Sequence, residues 1–278
     1  MVPSPAMEQE IDPNEGEREG DELRPGQPII LVDRKNRRYL SVLAAGGHTD
    51  LRGHHFQHDD FIGLPPGFRV RSSRDELFAV LRPTLAELVV DMPRFATIIY
   101  PKDLGTILVW GDIKPGLRVV EAGVGTGSLA IAVLRLIGER GELVSYEVRD
   151  EAINRARKNI RLAFDGLDPA NHRVREKDIY EGIEERDLDR LLLDVPEPWQ
   201  VVPHAAEAMK DDGIFMAYSP TVLQVKETVD ALHRSRAFML IETSETMMRP
   251  WHVARNSVRP ELRMIGHSGF LTFARKIR

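Results

Sequence analysis

Two short stretches hold residues whose types and spacing could do chemistry. One is "EAGVGTGS", Glu121 to Ser128, with glycines at 123, 125 and 127. The other is "RLLLDVPEPWQ", Arg190 to Gln200, where an apolar run ends in Asp194 and prolines follow at once. Alternate glycines let a backbone loop approach a ligand closely and adopt positive φ. Their spacing is G-x-G-x-G, not the G-x-G-x-x-G of dinucleotide binding, and no Gly-Lys-Ser/Thr follows to make a phosphate loop. An aspartate between a strand and a helix is either a cap or a reactive carboxylate, and its neighbours must decide.

A glutamate just before the glycines, Glu121, suits a ligand with a cationic amino-acid end better than a pyrophosphate. That points to S-adenosylmethionine as cofactor, leaving as S-adenosylhomocysteine, against a merely structural turn as the competing reading. Glu147 ends "ELVSYE", 20 residues after Gly127, where an acid can accept both hydroxyls of a ribose. Asp178, in "EKD", stands where a carboxylate could accept from an adenine amino group. Glu121, Glu147, Asp178 and Asp194 are expected to end four successive strands along one rim, the carboxyl edge at which open α/β sheets bind ligands.

Those strands are readable. "LRVVEAG", "ELVSYE", "HRVRE", "LDRLLLD", "GIFMAY", "AFMLIETS" and "GFLTFA" predict seven strands. "SLAIAVLRLIG", "DEAINRARKNIRLAF", Pro198–Met209 and Thr221–Arg236 predict helices between them. In the second helix Ala152, Ile153, Ala156, Ile160 and Ala163 share a face. The fold class is therefore α/β: a Rossmann-like, seven-stranded, mostly parallel sheet with helices on both faces. The late strands, which lack an intervening helix, suggest an antiparallel strand at one edge. Ahead of this domain, "PIILVDRKNRRYLSVL", "GFRVRSS" and "ELFAVLRP" predict short strands of a small β-rich domain over 27–83. A linker helix near 84–92, with Thr84 as a possible N-cap, opens the catalytic domain of 84–278.

Of the net charge of −5, −6 sits in residues 1–25, which leaves +1 for the remainder. The polar, acidic segment 1–26 is expected to be a disordered tail. Basic residues cluster at Arg34, Lys35, Arg37 and Arg38, at Arg69, Arg71 and Arg74, and at Arg155, Arg157, Lys158 and Arg161. Such clusters usually form solvated faces, but in a near-neutral body they also allow an anionic macromolecular partner. The absence of cysteine excludes disulfides, thiolate catalysis and Cys-ligated zinc. With no secretory signal and no apolar run approaching the ~20 residues of a membrane span, a cytoplasmic protein without membrane association is expected. "GHHFQHDD", with His54, His55, His58 and Asp59, only loosely matches a metal site, and no metal is expected.

The pieces "RPTLAELVVDMPR", "IIYPKDLGTIL", "RVVEAGVGTGSLA", "SYEVRDEA", "LLLDVPEPW", "MAYSPTVLQV" and "IGHSGFL" resemble the tRNA (adenine-58-N1)-methyltransferases of the TrmI family over nearly all of 27–278. The glycine loop is generic to class I methyltransferases, whereas "YPKD", Asp-x-x-x-Pro-Trp and the late Gly-His-Ser/Thr are much more specific. The resemblance implies methyl transfer to N1 of adenine-58 in the tRNA T-loop, with Asp194 at the reacting adenine. It implies that Tyr100 helps hold the base and that Tyr218 lies near the same pocket. It matches Val124, Gly125, Thr126, Gly127, Ser128, Leu129 and Glu147 to cofactor-binding positions, and with the residue reading the expected cofactor site also takes in Glu121, Gly123, Asp178 and Asp194, of which Asp178 stands at a position that varies among relatives. It further implies a homotetramer, and leaves open methylation of adenine-57, which some archaeal relatives perform. Val195 departs from a position often held by methionine, an apolar exchange of little consequence. His267 receives no role. Two other readings are a different class I methyltransferase, acting on isoaspartate or a small molecule, and a non-catalytic tRNA-binding subunit. The basic clusters and Asp-x-x-x-Pro-Trp speak against the first, the intact glycine loop, Glu147 and Asp194 against the second.

Overall fold

Short strands separated by tight turns build the N-terminal unit, and longer apolar runs build the C-terminal one. The computed structural model describes residues 21–94 and 96–278. The chain divides between Arg82 and Pro83 into two compact units. In the first, β1 (Pro28–Val32), β2 (Arg38–Val42), β5 (Arg69–Arg71) and β6 (Leu77–Leu81) form an antiparallel sheet of order β2-β1-β6-β5. β3 (His48–Leu51) and β4 (His54–Gln57) form a separate hairpin. Ile29, Leu31, Phe56, Phe61, Phe78 and Val80 make its core, and Leu23 joins them fully buried. The Leu23 N–H bonds the Leu64 carbonyl at 2.9 Å. Residues 21–26, assigned in sequence to the tail, therefore belong with this unit, and the rest of the expected tail lies outside the described residues.

The second unit begins with α1 (Leu85–Asp91), which Thr84 and Glu87 cap reciprocally. α2 (Pro101–Trp110) follows, opened by Pro101 at its first position, where the missing N–H costs nothing. Then come β7 (Arg118–Ala122), α3 (Ser128–Ile137), β8 (Glu142–Glu147), α4 (Asp150–Ala163), β9 (His172–Glu176) and β10 (Leu188–Leu193). The chain continues through α5 (Val202–Ala208), β11 (Met209–Ser219), α6 (Val222–Ser235) and β12 (Phe238–Glu245). It closes with the hairpin β13 (Trp251–Ala254) and β14 (Ser257–Pro260), and then β15 (Phe270–Lys276). The main sheet has the order β12-β15-β11-β10-β7-β8-β9. Every residue of β10 is buried, as a parallel strand covered on both faces requires. Burying Leu191, Leu192 and Leu193 fully contributes about 2 kcal/mol each.

The antiparallel strand does not lie at the edge. β15 pairs antiparallel with both β11 and β12, so it is inserted one place in, and β12 takes the edge. The reason is connectivity: α6 carries the chain across to a parallel edge strand, and the return through β13 and β14 leaves a gap that β15 fills. That hairpin and α2 were not expected from sequence.

Candidate active site

The site lies where β10, β7, β8 and β9 end side by side. The β7–α3 turn needs its glycines. Gly123 has φ 86°, and a Cβ there would collide with the Asp194 carbonyl oxygen and stand 2.9 Å from the Asp194 carbonyl carbon. The Asp194 N–H donates to the Ala122 carbonyl at 2.9 Å, extending the β7–β10 pairing by one bond. Asp194 thus leaves β10 pressed against the glycine turn. The 3-10 turn Pro198–Val201 has Glu197 at its N-cap position, without a side-chain capping bond, so Asp194 caps no helix. Gly127 has φ 84°, the left-handed backbone that favours glycine, and a Cβ there would only reach ordinary contact with Ala156 at 3.4 Å.

A cleft of about 610 Å³ opens over this edge, lined among others by Gly123, Gly125, Glu147, Asp178 and Asp194. Its size is that of a small-molecule site. Five of the residues singled out in sequence are therefore together. Val124, Thr126, Ser128 and Leu129 are buried at the base of α3 and, with Gly127, support the turn without lining the cleft. Glu121 does not line it either. It is buried beneath the cleft, where Ser145 Oγ donates to its carboxylate at 2.5 Å and His172 Nε2 lies 2.9 Å from the same hydroxyl. Burial, with the charges of Asp194 and Glu147, pushes the Glu121 carboxyl up to about 8 against the Ser145 bond.

The Glu147 carboxylate accepts from the Gly125 N–H at 3.3 Å and from Arg149 Nε and Nη2 at 2.9 and 3.0 Å. Burial would push its carboxyl up, but the Arg149 bonds and charge outweigh it and hold it below the usual range. Asp178 accepts from the Tyr180 N–H at 2.9 Å through Oδ1. Asp194 differs from both: among the described residues its carboxylate accepts no hydrogen bond, although it is half-buried. Protein packed around it pushes its carboxyl up to about 7, with the Arg149 charge opposing and the Glu147 charge adding. Tyr218 is buried, close enough to Asp194 and Tyr100 to feel both electrostatically, and burial holds its phenol neutral, at about 12. Tyr100 stands at the N-cap of α2 and, like Tyr218, is outside the cleft lining.

Sequence reading missed Asn159 and Arg149. Asn159 Nδ2 donates to the Thr126 and Pro93 carbonyls, both at 2.9 Å, tying the glycine turn to the chain before α2. A lone amide on the apolar face of Ala152, Ile153, Ala156 and Ile160 was the available signal. In the N-terminal unit the histidines are spent on protein partners: His54 on Ser72, His55 on Asp50 and Gln57, and His58 on the Ala44 N–H and Thr49. Among the described residues no group of His, Asp and Glu could hold a metal ion, and no helix is long and apolar enough to cross a membrane.

Fold and cleft define a Rossmann-like methyltransferase domain of class I. The solved structure of an S-adenosylmethionine-dependent O-methyltransferase from Thermotoga maritima superposes with a TM-score of 0.85 at 31% identity, covering 93% of this chain and 96% of that one. The chain belongs to the TrmI family. The model of the tRNA methyltransferase complex GCD14 subunit matches residues 77–261, and the TrmI-like N-terminal model matches 22–70. The tRNA (adenine(58)-N(1))-methyltransferase TrmI of Thermus thermophilus is 36% identical over 91% of this chain and 97% of its own. The tRNA (adenine(57)-N(1)/adenine(58)-N(1))-methyltransferase TrmI of Methanocaldococcus jannaschii is 32% identical over 88% and 94%.

Proposed function

We propose that this protein transfers a methyl group from S-adenosylmethionine to N1 of adenine-58 in tRNA. The observation that carries the reading is the Asp194 carboxylate, which opens on the cleft with no hydrogen bond from the described residues, pressed against the glycine turn. Acceptor lone pairs held in this way are suited to the N6 amino group of a target adenine. The names of the Thermus and Methanocaldococcus relatives supply the same acceptor atom.

The donor set fits the cofactor. Glu147, at the tip of β8, would accept from the ribose hydroxyls in exchange for part of its pairing with Arg149. Asp178 would take the adenine amino group, while Gly123 and Gly125 leave room for close approach of the chain. Once bound, S-adenosylmethionine supplies a sulfonium methyl open to in-line displacement. Adenine N1 carries a lone pair, so no side chain has to act as a base before transfer. Ionised Asp194 orients the base through N6 and stabilises the ring as it becomes cationic. Tyr218, a neutral phenol, bounds the base and Tyr100 stacks on it, after the nucleotide has left its stack in the RNA.

Exposed Arg34 and Lys35 at the β1–β2 turn are suited to tRNA phosphates, which position RNA without reading its sequence. Asp33 organises that turn by accepting from the Lys35 and Arg37 N–H groups at 2.8 and 3.0 Å. The reading includes a homotetramer, supported by the exposed apolar side chains Trp251, Val253, Val258 and Leu262 on and after the β13–β14 hairpin.

Unmodified tRNA incubated with protein and S-adenosylmethionine, then mapped by reverse-transcription stops, tests the reading. A stop at adenine-58 is expected, and a second at 57 would widen the specificity. Methylation of no RNA, or transfer to an oxygen acceptor instead, would overturn it.

A further inference from the structure

The pieces "YPKD" and "IGHSG" lie 165 residues apart in sequence, yet they meet. Lys102 and Asp103, at the start of α2, form a buried ion pair of 2.9 Å, with side chains 5% and 0% exposed. Ser268, just ahead of β15, is inserted between them: its hydroxyl donates to Asp103 Oδ2 at 2.6 Å and accepts from Lys102 Nζ. Lys102 also donates to the Thr246 carbonyl at 2.8 Å, beyond the end of β12. The neighbours of Ser268 contact the end of β11. A Cβ on Gly269 would stand 2.6 Å from Tyr218 Cε2 and 2.8 Å from its Oη, so the bare backbone packs directly against the phenol. His267 donates from Nε2 to the Pro220 carbonyl at 2.8 Å and from Nδ1 to Glu245 at 2.7 Å. Pro220 lines the cleft.

We propose that Lys102, Asp103 and the segment His267–Gly269 form a clasp that positions Tyr218 for the target base. Burying an ion pair is a poor way to gain stability, because desolvation offsets the attraction, whereas such a pair does fix one geometry. Ser268 satisfies both partners of this pair, and the next residue packs against the Tyr218 ring. The clasp joins the start of α2, where Tyr100 is the N-cap, to the end of β11, where Tyr218 sits. The two tyrosines are therefore placed by one buried network. Lys102, Asp103, Ser268 and Gly269 are positioning residues, acting on substrate only through Tyr218 and Tyr100.

The inference rests on the tRNA reading above, and its test separates the two. Ser268→Ala, Ser268→Thr and Gly269→Ala proteins are compared with wild type in S-adenosylmethionine affinity by calorimetry, in thermal midpoint, and in kcat and KM for tRNA. Ser268→Ala and Gly269→Ala are expected to lower kcat at least tenfold with cofactor affinity within twofold of wild type. Ser268→Thr, which keeps the hydroxyl, is expected to recover most of the rate. Wild-type kcat in both Ser268→Ala and Gly269→Ala would overturn the clasp, as would an equal loss of cofactor affinity, which would mark a merely structural role. If the wild-type protein methylated no tRNA, the tRNA reading itself would fail, whatever the variants did.

Discussion

The carbonyl of Asp194 occupies the space that any side chain on Gly123 would need. Two loops from neighbouring strands, the glycine turn after β7 and the Asp194 loop after β10, are thereby locked at backbone contact. Gly123→Ala would impose a Cβ on a residue at φ 86° and force it into backbone that cannot rotate away. The expected cost is about 2–4 kcal/mol of stability, from strain plus overpacking, with loss of cofactor binding in any protein that still folds. Chemical denaturation with calorimetric titration checks both.

Asn159 is the second lock on the turn. Asn159→Ala leaves the Thr126 and Pro93 carbonyls without their amide donor, at a cost of about 1–3 kcal/mol. Cofactor affinity should fall in step, because the Thr126 carbonyl belongs to the glycine turn. Urea unfolding combined with cofactor titration reads the two effects together.

Asp194 and Glu121 titrate near neutrality, at about 7 and about 8. Both folded values are raised, so the native state holds these protons after the unfolded chain has lost its own. Stability of the ligand-free protein should therefore fall as pH climbs from the ordinary carboxyl range through 7 and 8. Glu121→Gln should flatten that fall, measured as thermal midpoint against pH. A cationic ligand favours the ionised acids, so S-adenosylmethionine should bind more tightly as pH rises through this window. S-adenosylhomocysteine, which lacks the sulfonium, should respond less.

The exposed apolar face around the hairpin predicts assembly. Trp251→Glu with Val253→Lys should shift the proposed tetramer toward smaller species with the cleft intact. Light scattering on the two proteins checks this, and a wild-type monomer at micromolar concentration would contradict it.

Strands β8 and β10 and their carboxyl-edge acids Glu147 and Asp194 were legible in sequence because a buried parallel strand is a largely apolar run, whereas Asp178 follows the polar edge strand β9 and was placed by its position after a third strand. Glu121 was legible as an acid but not as a buried one, since the face it takes depends on which side of β7 the cleft opens. The inserted position of β15 was hidden because strand order follows from how the chain returns, not from any local pattern. The roles of His267, Ser268 and Lys102 were hidden for a similar reason: their partners are distant in sequence and become neighbours only in the folded chain.

Asp194→Ala and Asp194→Asn proteins, assayed for adenine-58 methylation beside calorimetric binding of cofactor and tRNA, test the central claim most directly. The account predicts that both variants bind each ligand within a few-fold of wild type. It predicts that kcat falls on the order of 100-fold or more, as for removal of an electrostatic stabiliser at the reacting centre. An Asp194→Ala protein that binds both ligands and methylates at the wild-type rate would contradict it.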